Sequence, residues 1–328
     1  MGTRWSLRVV SPRGDEAATV QAALDRVVAQ MSQWEPDSTL TRINRAPPGA
    51  WRAIPPEFAQ VLDAAMVVAR ASGGAFDPAM GRLTELWGFG TAPAPGTAPR
   101  PDETDDVRRN AGVIEFDGPG LRLRRTGSGL LDFSGIAKGF GADLAARSLL
   151  AQGQRHFLIE VGGELRGHGL RPDGQPWWVD VESPPGHAEA PLRLALHELS
   201  AATSGNYRRW LDADGQRYAH SLDPRTGRPI DNGVVSVTVL HDSCMFADAW
   251  ATALTVLGAT EGMALARAQD LAVRMIDSTG EHVSCRLRNA RLTPLRRSGC
   301  PVRRRPQRRR APAVTLSGPT QASAACGA

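Results

Sequence analysis

The amino-acid sequence predicts an α+β fold, in which helices are intermixed with mixed or antiparallel sheets. Amphipathic helical patterns occur early in the chain, as in residues 17–31. Short apolar segments of strand length become frequent from about residue 157 onward. Because the two kinds of segment do not alternate with a regular βαβ spacing, a doubly wound parallel sheet is not expected.

The early helices are recognised by apolar residues on one face and by residues that begin or end helices. After the helix predicted at 17–31, Pro55-Pro56-Glu57 favours the start of a second long helix, and Gly73-Gly74 favours its end. The Pro- and acid-rich residues 91–106 predict a surface loop.

Strands are predicted where apolar and β-branched residues form short runs. Leu130–Phe133 is expected to be a buried strand that leads through a glycine turn into a helix ending near Gln152. Phe157–Val161 is expected to be another buried strand, and a helix is predicted at 246–257. The remaining strands are predicted near 113–116, 121–124, 177–182, 192–196, 199–203, 216–220, 234–240 and 271–276.

The composition is that of an ordinary globular protein, with 41% hydrophobic and 22% charged residues among 328. No apolar run approaches the roughly 20 residues that a transmembrane helix needs. The first residues lack the apolar core of a signal peptide, so the sequence as written predicts a cytoplasmic location. An upstream leader would instead indicate a periplasmic or membrane-associated protein.

The net charge of +5 comes from the C-terminal end of the chain. Residues 286–328 contain 11 arginines and no acidic residue, and without them 28 basic residues face 34 acidic ones, a net charge of −6. This Arg- and Pro-rich tail is predicted to be disordered, behind a domain of residues 1–285. A nucleic-acid-binding arm is the alternative, but a solvated extension is preferred and no nucleic acid is expected as a partner.

The chain contains 38 arginines and one lysine, Lys138. Lys138 follows Leu131–Gly135, where a strand, a glycine turn and a helix start are predicted. A helix start directs backbone N–H groups toward an anion, and a lysine beside it adds a point charge suited to a phosphate. The alternative is a surface lysine that makes a salt bridge in the first turn.

Two further segments combine polar groups with an apolar setting. Asp77 follows the glycines that end the second long helix, and Trp87 lies shortly after it, which suits a heteroaromatic ligand or merely a helix end and a core tryptophan. His220 lies at a strand end before the turn at Asp223-Pro224, where it can accept a proton or serve a structural role.

Asp248 and Thr252 are four residues apart on a predicted helix, so their oxygens share one face among alanines. A buried carboxylate is costly unless it is paired or binds a metal, and hard oxygen donors suit magnesium. The alternative is that Asp248 caps the helix and Thr252 bonds to its own backbone. Four cysteines, at 244, 285, 300 and 326, show no zinc or disulfide spacing.

Eight segments in this order resemble the FAD:protein FMN transferases of the ApbE family, over Met1 to about Ser284. The segments are MGT, MSQWEPDSTLTRIN, GGAFDPAMGRLTELWGFG, LDFSGIAKGFGAD, EVGGEL, ATSGNYRR, HSLDPRTGRPI and ADAWATAL. The resemblance implies an ApbE-like, T-fold-like architecture. It also implies magnesium-dependent transfer of FMN from FAD to a Thr or Ser hydroxyl of a flavoprotein subunit in a membrane redox complex, with AMP released.

The resemblance also implies a role for individual residues of this chain. Gly135, Asp248 and Thr252 would hold Mg²⁺, and His220, Asp223 and Lys138 would serve the chemistry. The residues that would bind FAD are Met1, Trp34, Ala75, Phe76, Asp77, Asp132, Lys138 and Leu222.

Two other functions use the same residues and stay open at this point. An FAD pyrophosphatase would release free FMN and AMP because water replaces the acceptor hydroxyl. A flavin-binding protein without turnover would keep the pocket but would not need Asp248 and Thr252 for a metal. The Arg-rich tail does not resemble the family, whose members normally end in a short strand.

Overall fold

Helices and antiparallel strands are intermixed along the chain, which confirms the predicted α+β class. The computed structural model describes residues 3–187, 191–292 and 313–320. The helices in this part are α1 (Glu16–Met31), α2 (Thr39–Arg45), α3 (Pro56–Ala71), α4 (Gly81–Leu86), α5 (Pro101–Asn110), α6 (Ala137–Ala151), α7 (Cys244–Ala268) and α8 (Cys285–Leu292). The strands are β1 (Arg4–Val10), β2 (Arg52–Ala53), β3 (Ile114–Asp117), β4 (Arg122–Arg125), β5 (Phe157–Val161), β6 (Glu164–His168), β7 (Trp177–Val181), β8 (Leu192–Leu196), β9 (Leu199–Gly205), β10 (Trp210–Ala213), β11 (Gln216–Ala219), β12 (Leu222–Asp223), β13 (Arg228–Pro229), β14 (Val234–His241), β15 (Ala272–Asp277), β16 (Gly280–Val283) and β17 (Ala313–Pro319).

An eight-stranded sheet forms the centre of the molecule, in the order β16-β15-β14-β9-β6-β5-β1-β17. Its neighbouring strands are antiparallel. Helices α1, α6 and α7 pack together, and α6 and α7 contact the sheet. The main hydrophobic core lies between these helices and the sheet, and it includes Leu24, Phe140, Ile159 and Val239.

The opposite side of the sheet is covered by the β7–β8 hairpin. Trp177 and Leu194 from this hairpin pack with Leu158 of β5 and Ala201 of β9 in a second apolar cluster. β15 lies near one edge of the sheet, contacts α7 and α8, and is buried at each of its six positions. Such a strand shows no polar and apolar alternation in the sequence.

A third cluster joins α4 to the β10–β11 hairpin. Its members include Leu83, Trp87, Leu211 and Leu222. The Trp87 indole N–H donates a hydrogen bond to the Gly227 carbonyl oxygen at 2.9 Å. The tryptophan considered as a partner for a flat ligand is therefore a core residue, 4% exposed.

Two segments differ from the sequence-based expectation. Leu130–Phe133 is not a strand, and Leu130 makes only an isolated bridge to Met80. Residues 91–106 include the start of α5, which begins with a proline at its first turn. The apolar run correctly predicted that Leu131 and Phe133 are buried. The predicted strand was wrong because these residues pack in the hydrophobic core without pairing in a sheet.

Part of the Arg- and Pro-rich tail is ordered. Residues 313–319 form β17, which pairs antiparallel with β1 and so becomes the last strand of the main sheet. The Thr320 hydroxyl donates to the Thr3 carbonyl oxygen at 2.7 Å and accepts from the Thr3 N–H at 3.2 Å. The tail segment Ala313–Pro319 thus differs from the predicted disorder because β1 offers it an open sheet edge. Residues 293–312 and 321–328 lie outside the described part.

Candidate active site

A cavity of about 910 Å³ opens at one end of the main sheet. Its walls come from the start of β1, the 75–80 loop, the turn before α6, β7, the end of β9 and the first turns of α7. Such a volume is in the range of small-molecule and cofactor sites. The sequence-predicted residues that line it are Ala75, Phe76, Asp77, Asp132, Gly135, Lys138, His220, Leu222, Asp248 and Thr252.

Asp248 lies deep in this cavity, 4% exposed. Its Oδ2 accepts a hydrogen bond from the Gly139 N–H at 3.0 Å, and burial raises the pKa of its carboxyl group, opposed by Lys138 and by this hydrogen bond. Thr252 lies one turn further along α7, and its hydroxyl is 3.3 Å from the Ser204 hydroxyl. The predicted shared face of Asp248 and Thr252 is therefore observed, and it is turned into the cavity.

The start of α6 is held against the start of α7. A Cβ atom on Gly139 would lie 2.2 Å from the Cys244 carbonyl oxygen, so only glycine permits this close approach. The sequence predicted that the N-terminus of α6 faces an anion. In the structure one such anion is the protein's own Asp248 carboxylate, which caps the helix through Gly139.

The N-terminus of α7 is fixed by a second buried carboxylate. Asp143 of α6 accepts hydrogen bonds from the backbone N–H groups of Cys244 and Met245, at 3.0 and 3.1 Å, and from the Ser243 hydroxyl at 2.7 Å. It also pairs with Arg166. Asp143 therefore sets the position from which Asp248 enters the cavity.

Lys138 lies between two buried carboxylates. Its Nζ contacts the Glu164 Oε1 directly and lies 4.0 Å from the Asp248 Oδ1. Burial alone would lower the pKa of Lys138, but Asp248 and Glu164 together raise it above its ordinary value, so the ammonium stays charged. Burial raises the pKa of Glu164, opposed by Lys138.

His220 lines the cavity close to Phe89, and the two rings meet edge to face at 6.3 Å between centroids. Its Nδ1 lies 3.2 Å from the Arg209 carbonyl oxygen. Because a carbonyl oxygen only accepts, Nδ1 carries the proton and Nε2 keeps its lone pair. Burial, with the nearby Arg209 and Lys138, lowers the pKa of His220, so the imidazole is neutral at neutral pH.

Two predicted site residues, Asp223 and Trp34, are placed outside the cavity. Asp223 is not among the residues that line the cavity, and its carboxylate is bound by the Arg225 guanidinium at 2.9 to 3.2 Å. Trp34 is 44% exposed and does not line the cavity either, although the neighbouring Gln33 approaches the Ser134 hydroxyl at 3.5 Å on the rim. Met1 lies outside the described residues.

The expected flavin-binding residues surround one side of the cavity. The Asp132 Oδ2 accepts from the Thr84 hydroxyl at 3.0 Å, which fixes the carboxylate in the wall. The Asp77 Oδ1 accepts from the Ala79 N–H at 2.7 Å, and burial raises the pKa of its carboxyl. Both carboxylates can therefore accept hydrogen bonds from a ligand at fixed positions.

Sequence reasoning missed several residues of the site. Glu164 stands in the quoted EVGGEL segment, but nothing in its spacing connected it with Lys138. Ser204 and Arg209 line the cavity from segments that were noted for other residues. The β7 residues at 179–181 also line it, since the hairpin that carries them folds back over the sheet end.

The comparisons with known proteins agree with this geometry. The family model described as "ApbE family" matches residues 1–275. The chain belongs to the ApbE family. An FAD:protein FMN transferase of Vibrio cholerae is 37% identical over 288 residues, which are 86% of either chain. The FAD:protein FMN transferase of Escherichia coli K12 is 30% identical over 299 residues, 86% of this chain and 83% of that protein.

Solved structures of ApbE proteins have the same fold. The flavin transferase ApbE from Vibrio cholerae superposes with a TM-score of 0.80 at 35% identity, over 88% of this chain and 96% of that one. The apo form of the Pseudomonas stutzeri flavinyl transferase ApbE gives a TM-score of 0.79 at 30% identity, over 87% and 92% of the two chains. This ApbE protein is therefore an enzyme of the same architecture.

The described residues contain no group of three or more His, Cys, Asp and Glu side chains placed to hold a metal ion. Within 3–187, 191–292 and 313–320, none of the helices is long and apolar enough to cross a membrane.

Proposed function

We propose that this protein transfers FMN from FAD to a Thr or Ser hydroxyl of an acceptor flavoprotein, with magnesium as the metal and AMP as the leaving group. One observation carries the proposal. A single cavity combines the oxygens of Asp248 and Thr252, the ammonium of Lys138 and the unprotonated nitrogen of His220. Phosphoryl transfer needs charge neutralisation, positioning and a proton acceptor, and these groups can supply all three.

The proposed metal donors are oxygen atoms, which suit magnesium even though they include a single carboxylate. Asp248 supplies a buried carboxylate, Thr252 a hydroxyl, and the Gly135 carbonyl is the third proposed donor. A Cβ atom on Gly135 would lie 2.8 Å from the Thr252 Oγ1, so the missing side chain keeps this corner open. Hard oxygen donors with places left for water and phosphate suit Mg²⁺, which would neutralise the diphosphate when bound.

His220 is the proposed proton acceptor. The acceptor hydroxyl oxygen attacks the phosphorus of the FMN half, and its proton passes to the His220 Nε2. A new P–O bond to the protein forms, the bridging P–O bond breaks, and the bridging oxygen leaves with AMP. Asp223 is less suited to this role because Arg225 occupies its carboxylate.

Lys138 is proposed to act on the diphosphate. Its side chain is 30% exposed toward the cavity, while its ammonium is held at Glu164 and Asp248. A fixed positive charge there would neutralise negative charge on the phosphate oxygens. The acceptor is proposed to be a flavoprotein subunit of a membrane redox complex, as the resemblance to the family implies.

The test combines the purified protein with FAD, Mg²⁺ and a flavoprotein subunit that carries an acceptor threonine. The subunit's mass and covalent flavin fluorescence are followed together with AMP release. The controls are a chelator and the same subunit with its acceptor threonine replaced by valine. Covalent FMN on the threonine, matched by AMP and abolished by the chelator, is the expected result.

Other outcomes distinguish the alternatives. Free FMN and AMP without labelling, with several acceptor subunits, would contradict the transferase and support a pyrophosphatase. Intact bound FAD without AMP would contradict both enzymes and support a flavin-binding protein. Full labelling in the presence of the chelator would remove magnesium from the proposal.

A further inference from the structure

Glu164 is a buried carboxylate that the proposed transfer chemistry does not use. It begins β6, directly after the turn of the β5–β6 hairpin, and it is 1% exposed. Within the described part of the chain, its Oε1 contacts the Lys138 ammonium and its Oε2 has no hydrogen-bond partner. Among the described residues, Lys138 is the side chain that pairs with this carboxylate, which points to a purpose connected with that lysine.

With both carboxylates ionised, the charges around Lys138 do not balance. One ammonium faces two buried carboxylates, since Lys138 contacts Glu164 and lies 4.0 Å from Asp248. When all three groups are ionised the cluster is one positive charge short, and an unpaired buried charge is costly. A bound cation would supply the missing charge.

The geometry decides which carboxylate the ammonium satisfies. Lys138 contacts Glu164 and stays at the longer distance from Asp248, whose Oδ1 is not otherwise hydrogen bonded in the described structure. We propose that Glu164 is a positioning residue, which draws the Lys138 ammonium away from Asp248 and thereby reserves Asp248 for a divalent cation. This inference rests on the metal site of the proposed function.

The same argument explains why this position carries the only lysine in a chain with 38 arginines. A compact ammonium can be held by Glu164 and still lie near Asp248, whereas a planar guanidinium with five donors would bind both carboxylates at once. An arginine would therefore occupy the oxygen that the cation needs.

The test measures cation binding directly, without turnover. Binding of Mg²⁺ alone is measured by calorimetry, and binding of Mn²⁺ alone by electron paramagnetic resonance, for the full-length protein and for Glu164→Gln. In the variant, Asp248 is the one carboxylate among residues 3–187, 191–292 and 313–320 that remains paired with the ammonium. We therefore expect cation affinity to fall about 10- to 100-fold, the usual effect of losing a group that orients a ligand. Glu16→Gln is the matched control, because Glu16 is also 1% exposed but bonds to Arg13 and Gly14, away from the cavity.

A Lys138→Met protein separates the positioning of Lys138 by Glu164 from a simple loss of negative charge. If Glu164 acts through the lysine, Glu164→Gln must reduce cation affinity much less in a Lys138→Met protein than in the normal one. An equal reduction in both backgrounds would overturn the inference, and so would unchanged affinity in Glu164→Gln.

The single lysine provides a direct readout of the contact between Lys138 and Glu164. Labelling with ¹⁵N-lysine gives one side-chain ammonium signal, from Lys138. Glu164→Gln should shift this signal, whereas Glu16→Gln should not, and no shift would count against the proposal. If the unmodified protein binds neither Mg²⁺ nor Mn²⁺, the metal part of the proposed function fails. If it binds and Glu164→Gln binds equally well, only the role of Glu164 fails.

Discussion

Replacement of Gly135 by alanine adds a single methyl group beside the proposed metal donors and so tests their arrangement. The added Cβ would lie 2.8 Å from the Thr252 Oγ1 and 3.2 Å from both its Cγ2 and the Phe76 ring. Gly135 does not have a left-handed backbone, so the substitution adds no conformational strain of its own. The effect must therefore come from the displaced neighbours.

The size of the effect follows from these contacts. Overpacking of this kind costs about 1–3 kcal/mol of folding free energy. The threonine side chain is the part that can turn aside, which moves a proposed metal donor. Because displacement of a group that holds or orients a metal donor usually costs 10- to 100-fold in affinity, Mg²⁺ affinity should fall roughly tenfold or more.

The assays are urea unfolding and Mg²⁺ calorimetry on Gly135→Ala, with Gly96→Ala as the control because nothing lies within 4 Å of a Cβ there. Thr252→Ala removes the atoms that clash. In that background Gly135→Ala should cost much less stability, while Mg²⁺ binding stays weak. A Gly135→Ala protein with normal stability and normal Mg²⁺ affinity would refute the proposed arrangement of Gly135 and Thr252.

Three further outcomes are expected. Replacing His220 with glutamine should lower kcat by about 10²- to 10⁴-fold with little change in FAD affinity. Because burial and Arg209 lower the pKa of His220, the activity of the unmodified enzyme should persist below pH 6.5 and decline only as the imidazole becomes protonated. A loss of activity that begins above the ordinary histidine pKa would contradict the role of His220. Lys138→Arg should weaken binding of FAD and Mg²⁺, measured by flavin fluorescence and calorimetry, and unchanged binding of both would show that a compact charge is not required. Thr320→Val should cost about 1–3 kcal/mol in urea unfolding because it leaves the Thr3 N–H without its acceptor, while the Thr320 N–H still donates to the Thr3 carbonyl oxygen. The exposed Thr315→Val should not have this cost, and equal stability of the two variants would show that β17 is not docked on β1 in solution.

Much of the fold was predictable from local patterns. The predicted helix at 17–31 is observed at Glu16–Met31, because its apolar stripe matches the surface it covers in the core. The strand at Phe157–Val161 was also predicted with its observed bounds. The strand at Leu130–Phe133 was wrong because a short apolar run indicates burial and does not reveal the pairing partner.

The C-terminal tail also shows that local sequence does not reveal a pairing partner. Its composition predicted disorder, yet Ala313–Pro319 pairs with β1 along the strand. Arginine and proline content describes how a segment behaves when no partner is present. It carries no information about an open sheet edge more than 300 residues away, as the Thr3–Thr320 separation of 317 shows.

By itself the sequence determined the fold class, the family resemblance and most of the residues that meet in the cavity, because residue type and spacing along one helix or turn are local properties. Only the tertiary structure decided which charges face each other. Glu164 is 26 residues from Lys138, and Asp248 is 109 residues from the Gly139 N–H that it caps. These contacts depend on how closely α6, α7 and β6 approach one another, and that distance is set by packing of the whole core.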